Sequence, residues 1–241
     1  MSRIAVVGYG NLGAHLVPAL SAFFDVTVFS RRSIEIEYQN LDDLVPGNFE
    51  YVFLCLPDAQ IAPFAKDLPI SNATILHSSG TQSIKNLSKH EKRGVFYPLQ
   101  TFSKQKKIDF RKVPIYLEAE GADVQELQRL ATSISDKVKL ANSNERARLH
   151  LAAVFACNFT NHLFYIAEEI LENTSMKLED LRPLIDETIS KAMTLGARNA
   201  QTGPAIRNDQ STIEAHIRLI EDKQSLEIYE QLTNSIQGLY Q

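Results

Sequence analysis

The stretch "IAVVGYGNLGAHL", residues 4–16, decides the fold that the sequence predicts. It opens on a short apolar run, and Gly8, Gly10 and Gly13 follow in the spacing G-x-G-x-x-G. A strand that enters such a turn and leaves it as a helix is typical of a dinucleotide-binding unit, in which the pyrophosphate approaches the second glycine. The alternative is a glycine-rich turn without a ligand. The predicted cofactor contacts in this stretch are Gly8, Tyr9, Gly10, Asn11, Leu12 and Gly13.

The end of the second predicted strand chooses between the two nicotinamide cofactors. Ser30 lies 22 residues after Gly8, where an NAD site usually presents an acid to the ribose 2′-hydroxyl. Arg31 and Arg32 follow instead, and a guanidinium can pair with a 2′-phosphate. The sequence therefore predicts NADP(H), against the alternative that both arginines are only solvated.

The chain has two parts of different texture. Up to residue 142, the runs "RIAVVG", "DVTVFS", "YVFLCLP", "TILHSS", "VPIYLEA" and "KVKLAN" read as strands separated by helical or loop segments. This predicts a doubly wound, mostly parallel α/β sheet over residues 1–142. An all-helical C-terminal domain follows over residues 143–241, with helices predicted at 144–174, 180–197, 211–222 and 224–239.

Composition excludes several classes of protein. The net charge is −4 with no long basic run, which argues against nucleic acid or an anionic membrane as a partner. No apolar run reaches the length of about 18 residues that a membrane span needs. Cys55 and Cys157 stand alone in apolar runs, and no metal-binding spacing or signal-peptide layout is present. We expect a cytoplasmic protein without a metal ion.

Polar residues follow the later strands, and ligands of such sheets lie outside the carboxyl ends of the strands. Leu56, Pro57, His77 and Ser78 are therefore predicted to contact the cofactor. The predicted substrate contacts in this region are Ser79, Gly80, Tyr97 and Gln100. The alternatives are a helix-capping serine beside a core histidine, and an ordinary polar loop.

The apolar stretch "RLHLAAVFACNFTNHLF", residues 148–164, carries an unexpected polar stripe. In a regular helix His150, Asn158 and Asn161 fall within an arc of about 80°. Buried polar groups need partners, which are either neighbouring helices or a substrate in an interdomain cleft. We predict that His150 is a general acid, because imidazole titrates near neutral pH. Asn158 is predicted to orient the substrate, and Asn161 to contact it.

The turn "TGPAIRNDQST", residues 202–212, supplies one more candidate. Arg207 could bind a substrate carboxylate. Ser211 is the candidate N-cap of the helix that follows, and the alternative for Arg207 is a capping turn with an Arg–Asp pair.

These motifs resemble a known group of proteins. "IAVVGYGNLGAHL" and "FSRRS" are similar to the N-terminal domains of pyrroline-5-carboxylate reductases and of the 6-phosphogluconate dehydrogenase-like group. "LHSSG", "GVFYPLQTF", "LHLAAVFACNF" and "TGPAIRND" resemble, over nearly the whole chain, a bacterial family that joins a Rossmann-like domain to a domain of unknown function, DUF2520. Its members are described as NADP oxidoreductases, so the resemblance implies a fold and a cofactor class but no substrate.

Two departures from the wider group limit what the resemblance implies. Its hydroxyacid dehydrogenases carry a catalytic lysine four residues before an asparagine, and here Val154 stands four residues before Asn158. Pyrroline-5-carboxylate reductases have a segment rich in Ser, Gly and Pro where this chain has "ARLHLAAVF".

We therefore expect an NADP(H)-dependent oxidoreductase that reduces a small carbonyl or imine bearing a carboxylate. The alternatives are a non-catalytic NADP-binding or sensing protein and an enzyme like pyrroline-5-carboxylate reductase. By analogy with the wider group, we expect a homodimer that associates through the helical domain.

Overall fold

The computed structural model describes residues 1–240 and divides into two compact units, Met1–Cys157 and a second that begins at Asn158. The helices of the first unit are α1 (Asn11–Ser21), α2 (Asp58–Asp67), α3 (Val124–Ile134) and α4 (Ser143–Ala153). Those of the second unit are α5 (Thr160–Leu171), α6 (Arg182–Leu195), α7 (Ala197–Ala200), α8 (Gln210–Leu219) and α9 (Lys223–Tyr240). None of the helices within residues 1–240 is long and apolar enough to cross a membrane.

One eight-stranded sheet forms the centre of the first unit. Its strands are β1 (Arg3–Val7), β2 (Asp25–Ser30), β3 (Gln39–Asn40), β4 (Tyr51–Leu54), β5 (Thr74–His77), β6 (Arg93–Pro98), β7 (Ile115–Glu120) and β8 (Val138–Leu140). Their order is β3-β2-β1-β4-β5-β6-β7-β8, and only the β6–β7 pair is antiparallel. The predicted doubly wound, mostly parallel sheet is confirmed.

Two strands escaped the sequence prediction. The strand β6 covers "RGVFYP", which the sequence pattern placed on a polar rim, and β3 is only two residues long. The apolar run in β6 covers only Val95, Phe96 and Tyr97, and Pro98 follows it. A 3-10 turn (Ile84–Leu87) precedes the strand where a βαβ unit would have a helix. Its pairing with both β5 and β7 makes it an interior strand of the sheet.

The sheet buries side chains on both faces. Along β1, Ile4 and Val6 pack into one cluster, together with side chains of α1 and α3. Ala5 and Val7 alternate with them and pack into a second cluster, which includes Ile61 from α2. Because successive side chains of a strand point to opposite faces, one apolar strand supplies both layers.

The strands β1, β2, β4, β5 and β6 are parallel to one another. Their carboxyl ends therefore lie at one edge of the sheet.

The helix α4 begins where the sequence changes texture. Asn142 accepts hydrogen bonds from the backbone N–H groups of Asn144 and Glu145, both at 3.0 Å, and the Glu145 carboxylate accepts from the Asn142 N–H at 2.8 Å. This capping box satisfies N–H groups that the first helical turn leaves without partners. The domain boundary expected after residue 142 stays a prediction, since the first compact unit continues through α4 to Cys157.

The predicted long helix is interrupted. A π-helical segment, Val154–Phe159, separates α4 from α5. Its hydrogen bonds span five residues instead of four, so the spacing of 100° per residue does not hold across it. The predicted polar arc of His150, Asn158 and Asn161 assumed a regular α-helix and is wrong in that respect.

Candidate functional site

The glycine turn after β1 is a tight cradle. Gly8 has φ +96°, and a Cβ atom there would lie 2.6 Å from the carbonyl oxygen of Cys55. A Cβ on Gly13 would lie 2.5 Å from the carbonyl oxygen of Gly8, whereas a Cβ on Gly10 would meet no atom within 4 Å. Two glycines are thus needed for packing, and the space beside the third is open. This is the arrangement that lets a pyrophosphate approach the backbone at a helix N-terminus.

The end of β2 presents two exposed cations. The Ser30 hydroxyl donates to the backbone carbonyl of Arg32 at 2.8 Å and accepts from the Arg32 N–H at 3.1 Å. This local ring turns the chain at the end of the strand and leaves Arg31 and Arg32 exposed. Arg31 also lines a cavity of about 490 Å³ together with residues of α2.

A rigid loop follows β5. The Ser79 N–H donates to Nδ1 of His77 at 3.2 Å, and the Ser79 hydroxyl accepts from the N–H groups of Thr81 and Gln82 at 3.1 and 3.0 Å. The Thr81 hydroxyl donates to the Asp58 carboxylate at 2.6 Å. These bonds connect the loop to the start of α2 and fix its shape.

Two shielded polar atoms at the end of β5 and the start of this loop are poorly satisfied. His77 is fully buried, and burial, helped by the positive charge of Arg146, lowers its pKa from 6.5 to about 4. Its ring is therefore neutral at pH 7. Within residues 1–240, neither His77 Nε2 nor the shielded Ser78 hydroxyl forms a hydrogen bond of ordinary geometry, although the Ser83 backbone acts on the His77 ring and the Ser78 side chain acts on the Cys55 thiol. Buried polar atoms without partners are uncommon and call for an explanation such as a ligand.

The hydroxyl of Tyr97 and Nδ1 of His150 lie 3.1 Å apart. Tyr97 projects from β6 and His150 from α4, and their ring centroids are 6.3 Å apart. Gly80 lies against both rings, since a Cβ there would be 2.7 Å from His150 Nδ1 and 2.8 Å from Tyr97 Cζ. Burial raises the pKa of Tyr97 to about 12, so its hydroxyl keeps its proton near neutral pH. His150 is only half-buried, and Nε2 is the ring nitrogen that the pair leaves for another partner.

A buried arginine holds this arrangement together. Arg146 is fully buried and donates from Nε to the Ser79 carbonyl at 3.1 Å. Its Nη2 donates to the Gln82 carbonyl, and its Nη1 donates to the Glu118 carboxylate on β7, both at 2.5 Å. Arg146 and His150 are four residues apart on α4, so they share a face of the helix. The guanidinium therefore joins α4, β7 and the loop after β5.

The remaining predicted site residues lie at scattered positions. In the first unit, Leu56 and Pro57 follow β4, with Pro57 as the N-cap of α2, and Gln100 accepts from the N–H and hydroxyl of Thr101. In the second unit, Asn158 and Asn161 are exposed on the π segment and on α5.

Arg207 is exposed in the turn that precedes α8. It forms no ion pair within 4.0 Å among the residues described. The N-cap of α8 is Asp209, whose carboxylate accepts from the Thr212 N–H at 3.1 Å, so the prediction of Ser211 was wrong.

Comparison with known families identifies the chain. Residues 113–236 match the family described as "Domain of unknown function (DUF2520)". The chain belongs to this family. A comparison with functionally curated proteins gives no match.

Solved structures agree with the fold. A protein from Bacteroides fragilis described as a "putative NADP oxidoreductase" is 34% identical, with a TM-score of 0.87 and 98% of each chain covered. A protein from Thermotoga maritima is 22% identical with a TM-score of 0.69, again over 98% of each chain. A reductive aminase from Aspergillus terreus, solved with NADPH and ethyl levulinate, is 14% identical with a TM-score of 0.75. The match covers 99% of this chain and 93% of the aminase.

The sequence prediction missed Arg146, Glu118 and Thr81 as parts of this site. Arg146 could have been predicted, because it lies four residues before His150 at the start of an apolar helix and therefore shares a helix face with it. The carboxylate of Glu118 had no such signal, because charged residues on a strand usually face solvent.

Proposed function

We propose that the protein is an NADP(H)-dependent oxidoreductase that reduces a small carbonyl or imine compound. The cradle of Gly8, Gly10 and Gly13 fits a dinucleotide, with Arg31 and Arg32 placed to pair with a 2′-phosphate. The description of the Bacteroides fragilis relative supports the same cofactor. The Ser78 hydroxyl, which forms no hydrogen bond of ordinary geometry within residues 1–240, is a candidate contact for the bound cofactor.

The single observation that carries the reaction class is the contact between Tyr97 and His150. Bound NADPH would supply a hydride to carbon. His150 would supply the proton to the oxygen or nitrogen of the substrate, from Nε2. The Tyr97 hydroxyl can accept from Nδ1–H of the imidazolium and also from Nδ1–H of the neutral ring that remains after Nε2 has given up its proton. It therefore holds the ring in one orientation before and after proton transfer. Water can return the proton, because His150 is half-buried.

Residues of the second unit complete the proposal. Asn158 and Asn161 are proposed to hydrogen-bond the substrate, since both carry exposed amides that can donate and accept. Arg207 is proposed to bind a substrate carboxylate, because its guanidinium is exposed and forms no ion pair among residues 1–240. A substrate analogue without its carboxylate should then bind Arg207→Ala and the parent protein equally well.

The first experiment is a fluorescence titration with NADPH and NADH, on the parent protein and on Arg31→Ala and Arg32→Ala. We expect NADPH to bind more tightly, and at least one arginine variant to remove that preference. Loss of NADPH absorbance is then followed with a panel of carbonyl compounds, with and without amines, and with pyrroline-5-carboxylate.

The outcomes separate the possible functions. His150→Ala should bind NADPH normally and lose at least about a hundredfold in turnover, which is the lower end of the range for a general acid. Tight NADPH binding without turnover of any compound would favour a sensing protein. Failure of both nucleotides to bind would overturn the proposal entirely.

We also propose that two copies of the chain associate through the second unit. Among residues 158–240, the buried apolar side chains are only those of Ala205 and Ile213. Meanwhile Leu184, Leu219 and Met193 are 66, 73 and 81% exposed. A helical unit with so small a core needs a partner to cover its apolar surface.

Sedimentation equilibrium tests the association. The parent protein should be a dimer, and Met193→Glu should weaken it. Ile70→Glu is the matched control, since Ile70 is 72% exposed in the first unit. A parent protein that sediments as a monomer would exclude the dimer.

A further inference from the structure

The loop between β6 and β7 lies against α1. His15 on α1 contacts the Ser103 carbonyl through Nε2 at 2.9 Å. The Phe102 ring lies between the rings of His15 and Phe110, with centroids 5.4 and 6.0 Å away. One hydrogen bond and two ring contacts thus hold Phe102 and Ser103 in place, and with them the backbone from which the Lys104 side chain extends.

Lys104 is placed over the glycine turn. Its Nζ lies 5.3 Å from the centroid of the Tyr9 ring, and Tyr9 is the residue between Gly8 and Gly10. A cation over an aromatic face is attracted by the ring, which favours this position. No carboxylate within residues 1–240 forms an ion pair with Lys104. Its charge is therefore available to a ligand.

The surroundings contain charges of both signs. Lys104 and Lys107 line one cavity of about 560 Å³ with Glu35 and Asp109. Asp109 already pairs with Lys112 at 3.5 Å and caps a 3-10 turn through the Arg111 N–H. Glu35 is therefore the carboxylate of this cavity that is left to balance the charges of Lys104 and Lys107.

We propose that Lys104 is a further dinucleotide-binding residue, which neutralises the pyrophosphate at the glycine turn. The inference rests on the proposed cofactor binding. It assigns Lys104 to the part of the cofactor that NADPH and NADH share, in contrast to Arg31 and Arg32. The reason is that Lys104 lies over Tyr9, and Tyr9 belongs to the turn that a pyrophosphate approaches. Arg31 and Arg32, in contrast, lie at the end of β2.

The test is the equilibrium affinity of Lys104→Gln for NADPH and for NADH, measured by fluorescence titration. Removing an exposed cation that would face the pyrophosphate should weaken binding about fivefold for both nucleotides at low salt. The loss should shrink above roughly 0.5 M salt, where the Debye length falls to a few ångströms. Lys104→Arg should retain most of the affinity.

Lys106→Gln is the matched control, because Lys106 is an exposed cation of the same loop. Equal affinities of Lys104→Gln and the parent protein would overturn the inference. A loss for NADPH alone would also overturn it, since it would assign Lys104 to the 2′-phosphate. If the parent protein bound neither nucleotide, the proposed function itself would fail, and that outcome is distinct from both.

Discussion

Replacing Gly80 by alanine should separate the two rings of the candidate site. The added Cβ would lie 2.7 Å from His150 Nδ1, 2.9 Å from His150 Cγ and 2.8 Å from Tyr97 Cζ. Ordinary contacts begin near 3.4 Å, so at least one ring has to move by about 0.7 Å. Tyr97 is only 8% exposed and cannot rotate freely, so the displacement falls on its contact with His150.

The size of the effect follows from two costs and one gain. Inserting a methyl group into a packed site costs roughly 1–3 kcal/mol, and the loss of one hydrogen bond adds about 1 kcal/mol. Gly80 is not among the glycines with positive φ, so alanine fits its backbone and gains roughly 0.4–1 kcal/mol from the unfolded state. The net expectation is a loss of about 2 kcal/mol in the free energy of unfolding.

Urea denaturation measures this loss. The matched control is Gly47→Ala, where the nearest atom to the new Cβ would be Ser71 Cβ at 3.9 Å. Gly47→Ala should be neutral or slightly stabilising. Gly80→Ala should also bind NADPH normally while turnover falls. If Gly80→Ala unfolded at the same urea concentration as the parent protein, the close packing of Gly80, Tyr97 and His150 would be refuted.

Two further predictions concern buried charge. Arg146→Met should cost about 3–5 kcal/mol, because it leaves the Glu118 carboxylate, 17% exposed, without its cation. Arg129→Gln, at an exposed pair, should change stability by less than about 1 kcal/mol, and equal losses in the two variants would contradict this account. The folded-state pKa of His77, about 4, lies below its unfolded value of 6.5, so the unfolded chain takes up the proton first as the pH falls. Stability is therefore lost between pH 6.5 and 4, and His77 accounts for about 2 kcal/mol of the loss from pH 7 to 5. His77→Asn should make the free energy of unfolding less dependent on pH, as measured by urea denaturation at several pH values. His90, whose pKa is also lowered, contributes equally in both proteins. If the variant lost stability with falling pH as steeply as the parent protein, the assignment to His77 would be refuted.

Most elements of the fold were predictable because their signals are local. The apolar runs of β1, β2, β4 and β5 mark strands covered on both faces, and the glycine spacing marks the turn after β1. The cap at Asn142 marks the start of α4. The strand β6 lacked such signals, because its apolar residues are only Val95, Phe96 and Tyr97, between Gly94 and Pro98.

The candidate site was predicted as a collection of residue types and not as an arrangement. His150 was singled out for its polarity on an apolar helix, and Tyr97 for its place near a strand end. Their contact spans 53 residues of sequence, and no periodicity relates β6 to α4. The π segment also escaped prediction, because its geometry depends on what packs around the helix.

The sequence by itself determined most of the alternation of strands and helices, without β3, β6 and the π segment, together with the glycine cradle and the cations after β2. These depend on repeat distances and backbone preferences that act within a few residues. Only the tertiary structure decided that Arg146 is buried against Glu118, 28 residues away, that Gly80 lies beneath Tyr97 and His150, and that Lys104 reaches Tyr9. The physical reason is that a buried charge or a close ring contact is stable only when several distant segments supply its partners together, and local sequence patterns do not record which segments meet.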